Sequence, residues 1–552
     1  MAATDPHKSP GRPGWLAPLL FVTAAGLLAT WRYAVWGFNP TDDGFVLAYA
    51  RRILEGQVPH RDFIAIHLAG SGYLHAPFVA FGGEHTYLIS RLFVWVQLAF
   101  IAWAWTEICA QFAETRPPPA MQVAIALISF TLSAHYFPDM AWHTIDGLFL
   151  ISAGLWLRVA SPGRLRFGGD ILLGAAILCK QNFVFCVPLI ILLCERRQRG
   201  LAALWVVALP TIYALGVVIA GGASDAWAQL TTQSDLATPG FYKYLWEPAF
   251  AGGVVIGLLT CLLLLNRPNG KHSDADIAAA KLAGLAIALV LIAGASHAMT
   301  QGRYLGSPAF GLFGLACGTT LAMAGLTTPR NALWKIGVIA VAVGWCTALS
   351  IGYNTPALAA GIAATLLLQP WLPRPESPRK MRVAAAILVG IAGLWCLWAF
   401  DQARMKYVYL ERPASELTRR LDGVLPGGAG LRTDRNTYLV LRDLRALTEA
   451  GGGRYAILSD FAGWWPAAEQ ANPLPVDWPQ WIELGSPRLR NRAIAAMDAQ
   501  RGKVTFVVAK YETSSLAKGF TPATTSFRYP LAAYARMHYT KIGETAFFEI
   551  YR

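Results

Sequence analysis

Charge is scarce in this chain. Only 14% of its 552 residues are Asp, Glu, Lys or Arg while 55% are hydrophobic, a balance that excludes an ordinary soluble domain. Metal-ligand spacing is missing as well: none of the eight cysteines belongs to a CxxC, no histidines are paired at ligand spacing, and every cysteine lies in or at the end of an apolar run. The cysteines read as small buried hydrophobes. No internal repeat, heptad array or low-complexity tract is present, which sets aside solenoids, coiled coils and disordered tails.

What the chain does have is a long series of apolar segments. A bilayer core takes about 20 apolar residues per helix, fewer where a helix is broken. On that template spans fall near 15–35, 87–109, 120–137, 143–160, 168–181, 183–195, 201–221, 248–266, 281–298, 308–326, 334–352, 356–372 and 383–400, about 13 in an all-α polytopic bundle. The first is expected to be a retained anchor and not a cleaved signal, because the text runs on into a further helix and many spans follow. The net charge of +14 would suggest nucleic acid in a soluble protein, but here the Lys and Arg cluster in short loops between apolar runs, as the positive-inside bias requires. The expected partner is the lipid bilayer, and no nucleic acid.

With Lys8 and Arg12 cytoplasmic, alternation puts Arg116 and the basic loops 158–166, 195–200, 266–271, 329–335 and 373–382 on the same side. An odd number of crossings then sends the loop 36–86 and everything after Phe400 outside. The short segments around "CKQN" (179–182) are expected to form a tight hairpin with Lys180 to Asn182 at its outer tip, the alternative being one kinked pass. Residues 1–400 thus make a membrane module. Residues 401–552 change character, helical text at 434–450 alternating with β-like runs at 454–460, 503–511 and 544–551, and predict a small extracytoplasmic α/β domain. It has no cysteine and must cohere by packing alone.

The chemistry is concentrated in "NPTDDGFVLAYARRILEGQVPHRDF" (39–63), directly after the first span. Thr41 or Asp42 is placed to cap a helix running to about Gly56, with Pro59 beyond. Phe45, Val46, Tyr49, Ala50, Ile53 and Leu54 fall on one broad side and Arg51, Arg52 and Glu55 on the other, the pattern of a helix lying flat on a membrane surface. Asp42 and Asp43 then sit at its positive end, where ionised carboxylates are favoured. Arg51, Arg52 and Arg61 break the positive-inside rule on the outer face, so an anion is expected nearby.

Asp42-Asp43, Arg51, Ile53-Leu54 and Pro59 resemble the acidic surface-helix motif of membrane glycosyltransferases of the C-type fold (GT-C). This group uses polyprenyl-phosphate sugars and includes protein O-mannosyltransferases and the aminoarabinose transferase of lipid A. Asp43 stands where the motif has Glu. The motif covers about 25 residues, and the layout of spans followed by an outer domain extends the likeness over most of the chain.

The resemblance implies a multi-pass enzyme of the bacterial inner membrane that moves a sugar from a polyprenyl-phosphate donor to a glycan, lipid or protein acceptor on the outer face, with inversion. Asp42 would be the general base, with Asp43 beside it, since attack by a hydroxyl needs its proton removed as the bond forms. The leaving lipid phosphate needs positive charge. Lys180 in "CKQN", Arg303 and Tyr304 in "TQGRYLGSP", and Arg51 and Arg52 are the candidates for it. The loop "HYFPDMAWHTIDG" (135–147) supplies Asp139 as the second acidic residue, with His143, to help hold an acceptor. The resemblance implies no certain cofactor. A divalent cation, Mg or Mn, is left open, with Asp42 and Asp139 as its candidate ligands. A transporter or flippase of a lipid-linked substrate is the alternative, but it would leave ionisable groups or broken helices at the midplane, and these spans have almost none away from their ends. A non-catalytic subunit on the same fold would show a dispensable Asp42.

Overall fold

The structure is a computed structural model describing residues 16–552 apart from 114–115, 136–137, 161–164, 196–197, 233–239, 241, 243, 245, 266–273, 303–305, 327–331, 350–353, 451–452 and 524–527. Helices form almost where the apolar runs and the amphipathic stretch put them, with one more at 70–82 that the sequence did not signal: α1 Leu16–Tyr33, α2 Phe45–Leu54, α3 Gly70–Gly82, α4 Thr86–Phe112, α5 Pro119–Ala134, α6 His143–Ala160, α7 Leu165–Cys179, α8 Cys186–Cys194 and α9 Arg199–Ile219. After the short α10, Ala223–Leu230, come α11 Pro248–Leu265, α12 Asp274–Thr300, α13 Ser307–Leu326, α14 Leu333–Ala348, α15 Ala360–Leu368 and α16 Arg379–Lys406.

Among the described residues, seven helical segments are long and apolar enough to cross a membrane, one of them the run Gly70–Phe112 that joins α3 to α4. That is fewer than the thirteen expected. The other expected spans are helices too short to cross unaided, such as Pro119–Ala134 and Leu333–Ala348, or carry charge, as α6 does with Asp146 and Arg158. Such helices are shielded by neighbours: Asp146 is fully buried, bound by His75 Nε2 at 3.0 Å and by Gln97 Nε2 at 2.8 Å, which ties α3, α4 and α6 together in the interior.

Residues 165–195 form the hairpin and not a kinked pass. Arg158, at the end of α6, pairs both with Asp170 in the first turns of α7 and with Glu195 just past α8 at 2.9 Å, so the two arms begin and end at one place. Their turn, Lys180 to Phe185, lies at the opposite end, with Lys180 against Thr144 at the start of α6.

The loop after α1 and the chain after α16 share one face. Arg32 and Tyr33 at the end of α1 both bind Asp401 near the end of α16, at 3.0 and 2.9 Å. From there the C-terminal part folds onto the first loop. It begins with a two-stranded ladder of β1 Arg419–Arg420 and β2 Arg432–Thr433, and its larger sheet has the order β3-β4-β6-β5, with β3 Tyr455–Ile457, β4 Thr505–Ala509, β5 Lys541–Glu544 and β6 Phe548–Tyr551. β3 and β4 are parallel and the other pairs antiparallel.

Side chains alternate along β4, as the period of two demands. Phe506 and Val508 pack with Leu489, Met497 and Leu531 from helices Pro487–Ala499 and Pro530–His538, while Val507 and Ala509 join the core that runs through the membrane bundle. One shared core therefore spans both parts.

α2 is the element between them, and it does not lie on a membrane surface. Every residue from Phe45 to Ala50 is buried, and so is Arg52, because α2 is covered by the bundle on one side and by the C-terminal part on the other. Arg52 reaches Asp477 through two bonds of 2.6 and 2.8 Å and also donates to Leu474 O at 2.6 Å. Gly44 meets Gly463 backbone to backbone: a Cβ on Gly44 would fall inside contact distance of the Gly463 Cα and the Ala462 carbonyl.

Because Arg52→Ala would strand the buried Asp477 carboxylate, it should cost about 3–5 kcal/mol. Thermal unfolding in lipid nanodiscs should show this loss, and Arg52→Met with Asp477→Leu should recover most of it.

Candidate functional site

The acidic pair is set by an asparagine. Asn39 Oδ1 accepts from the backbone N–H of Thr41 and of Asp42, each at 3.1 Å, a side-chain turn of the kind Asn-Pro text favours. The helix starts later than its expected cap, with Gly44 at the N-cap. Neither Asp42 nor Asp43 caps it, and burial replaces the expected stabilisation by the helix end.

The two carboxylates have different jobs. Asp43 gives one oxygen to the backbone N–H of Asn39 at 2.7 Å and the other to Arg91 Nη2 at 2.7 Å. Arg91, in the second turn of α4, also donates to Ala34 O at 2.7 Å and Gly37 O at 2.8 Å, so the Asp43–Arg91 pair fastens the chain leaving α1. Asp42 Oδ2 accepts instead from the Tyr409 hydroxyl at 2.7 Å. Burial pushes its pKa up to about 6, against the opposing pull of the Tyr409 bond and with some help from the Asp43 charge.

Asp42 also adjoins the C-terminal part. Asp460, fully buried, binds Gln480 through one oxygen and has no hydrogen-bond partner for the other. Desolvation and the Asp42 charge hold its pKa well above the usual range.

Two subsites flank the start of α2. On one side stand the hairpin tip and the start of α6. Lys180 is 1% exposed and donates to Thr144 Oγ1 at 2.9 Å, with no carboxylate in ion-pair contact among the described residues. Next to it the His67 and His143 rings lie 4.0 Å apart, Gln181 binds His67 at 3.0 Å, and Phe45 of α2 closes against His143 at 6.2 Å. Burial, and then the Lys180 charge, bring His67 down to about 4, while burial brings Lys180 itself down to about 7, so an anion beside Lys180 would favour its charged form. On the other side Asp139 faces Arg404 at 3.6 Å and shares a pocket with Asp43, Arg91 and Tyr409. The Arg404 guanidinium lies 4.8 Å from the Trp95 ring centroid.

The arginines of α2 are not at either subsite. Arg52 is committed to Asp477, and Arg51 pairs with Glu55 one turn on at 2.6 Å. Arg303 and Tyr304 lie outside the described residues, though Thr300 O just before them accepts from the Tyr407 hydroxyl at 3.4 Å. Trp464 and Trp465 are buried, Trp464 Nε1 donating to the Tyr455 hydroxyl at 2.8 Å, so they belong to the core. Among the described residues no three His, Cys, Asp or Glu gather to hold a metal ion. Asp139 and Asp43 already face the guanidiniums of Arg404 and Arg91, so positive charge is supplied there by the chain itself.

The pKa of Asp42 has a consequence for stability. A carboxyl raised in the folded state to about 6 from 3.8 destabilises the fold once ionised. Its contribution is favourable below pH 4 and is lost as pH rises through 6, a difference of about 3 kcal/mol. Asp42→Asn should therefore melt above the parent protein at pH 7.5 and alongside it near pH 4, as measured by thermal unfolding. Tyr409→Phe removes a bond that favours the charged form, so the Asp42 titration should move to higher pH.

No family model and no curated protein matches the chain. Two solved structures do, both of membrane glycosyltransferases of the C-type fold. The oligosaccharyltransferase AglB of Archaeoglobus fulgidus, in complex with an inhibitory peptide and a dolichol-phosphate, is 13% identical with a TM-score of 0.39, over 98% of this chain and 75% of that one. The arabinosyltransferase EmbB of Mycobacterium smegmatis is 13% identical with a TM-score of 0.32, over 75% of this chain and 44% of that one. Likeness this faint assigns neither substrate nor residue.

Proposed function

We propose that this protein is an integral membrane glycosyltransferase that moves a sugar from a polyprenyl-phosphate carrier to an acceptor on the outer face of a bacterial inner membrane. The observation that carries the reading is Asp42 itself: a buried carboxylate with its pKa pushed up to about 6, held by Tyr409, whose ring also lines a polar pocket. A general base works best with its pKa close to the working pH, and Asp42 at about 6 is ionised yet basic at neutrality.

In the proposed step the acceptor hydroxyl attacks the anomeric carbon and its proton passes to Asp42. The bond from that carbon to the phosphate oxygen breaks, and its electron pair leaves with the polyprenyl phosphate. A single displacement of this kind inverts the anomeric centre. Lys180 stabilises the departing charge in a water-poor setting, where a fixed cation counts for more than it would in water. Tyr409 orients the base, and the C-terminal part roofs the site. Arg303 and Tyr304 remain proposed donor ligands; His143, expected with Asp139 at the acceptor, packs instead against His67 near Lys180, and in this reading it belongs to the donor side.

The test is transfer from defined polyprenyl-phosphate sugars by purified protein in nanodiscs. Asp42→Asn should lower kcat by about 10² to 10⁴ without loss of folded protein, and Lys180→Met should weaken use of the donor. An Asp42→Asn protein turning over at the parental rate would refute the assignment of the base.

A further inference from the structure

The pocket on the Asp139 side has a composition that selects a class of ligand. Its lining includes Asp43, Arg91, Asp139 and Arg404, with Trp36 and Tyr409 as aromatic walls. The two carboxylates balance the two guanidiniums, so the pocket is strongly polar with no net charge. Asp139, buried and lining the pocket, has no hydrogen-bond partner for Oδ2, and Arg91 has none for Nε. One acceptor and one donor are thus left open at nine-tenths burial or more, where an unmet polar group costs about 1–3 kcal/mol.

Each ligand class meets this array differently. An anion such as a phosphate would meet two carboxylates. An alkyl chain would strand four charged groups. A hydroxyl both donates and accepts, so it can donate to Asp139 Oδ2 and accept from Arg91 Nε, and a ring bearing neighbouring hydroxyls can do both while its C–H face lies on Trp36. The pocket as a whole has about 20 Å³ of space for the centre of a water-sized group, room for one such group. A single hydroxyl therefore enters while the rest of the ring stays in the mouth. Tyr409 is the wall shared with the base, its hydroxyl 2.7 Å from Asp42 Oδ2.

We infer that this pocket binds the acceptor, and that the acceptor is a neutral carbohydrate: one hydroxyl of a terminal sugar is seated between Asp139 and Arg91, which brings a neighbouring hydroxyl to Asp42. The inference rests on the glycosyltransferase reading and adds the acceptor class to it. Asp139 is in this account a binding residue for the acceptor, and Trp36 sets the orientation of the ring.

Binding can be read without turnover. Saturation-transfer NMR on the full-length protein in nanodiscs, without donor, is run with methyl glycosides of common pyranoses and of arabinofuranose, and with a serine- and threonine-containing peptide. At least one methyl glycoside should receive saturation at its ring protons. Its affinity should fall by about 10- to 100-fold in Asp139→Ala, less in Asp139→Asn, which keeps the side-chain shape, and also in Trp36→Leu, which leaves every charge in place. No signal from any glycoside, a signal unchanged in Asp139→Ala and Trp36→Leu, or binding of the peptide alone would overturn the inference. Asp42-dependent hydrolysis of the donor in the absence of acceptor is scored separately. If hydrolysis persists while no glycoside binds, only the acceptor assignment fails; if glycosides bind and no donor is ever consumed, the transferase reading fails instead.

Discussion

The site depends on a guanidinium buried inside the protein. Arg91 binds Asp43 and two carbonyls of the chain leaving α1, and so converts a loop exit into a fixed corner. A buried cation is tolerable only when well-placed partners meet most of its donors. That requirement fixes the backbone from Ala34 to Asp43 and, with it, the direction in which the next carboxylate points. Asp43 is spent on this corner. Its neighbour is left with one phenol for a partner and a pKa near neutrality.

The division between an acid paired with a guanidinium and one bound only by a phenol agrees with the layout around them. Lys180 and the two histidines lie beyond Phe45, while Asp139, Arg404 and Arg91 lie beyond Asp43. α2 is the partition, and its close packing holds the sides apart. The glycine contact at Gly44 and Gly463 lets the C-terminal part approach the partition at its first turn, where any side chain would act as a spacer.

Local patterns carried much of this in the sequence. Apolar runs located most of the helices before residue 407, short β-like runs located β3, β4 and β6, and the acidic pair marked its loop. Amphipathicity misread α2, because a helix packed on both sides has the same pattern as one floating on lipid when its charged face is answered by distant residues. Asp477 answers Arg52 across 425 positions, and Tyr409 reaches Asp42 across 367, separations at which no periodicity or spacing rule operates. Arg91 could have been found: a lone arginine in the text "YLISRLF" (87–93) is an expensive residue for an apolar run. His67 and Arg404 gave no comparable signal, being polar residues close to segment ends, where they are ordinary.

The long-range stitching between the first loop and the last part of the chain has an implication for biosynthesis. Residues 39–63 leave the ribosome early, yet the tyrosine that holds Asp42 and the aspartate that clamps α2 come hundreds of residues afterwards. Closing contacts of such separation is slow compared with forming the helices themselves. A partly translated chain already threaded into lipid therefore carries its acidic corner open on one side, and that side closes only after the strands of residues 455–551 have formed and docked.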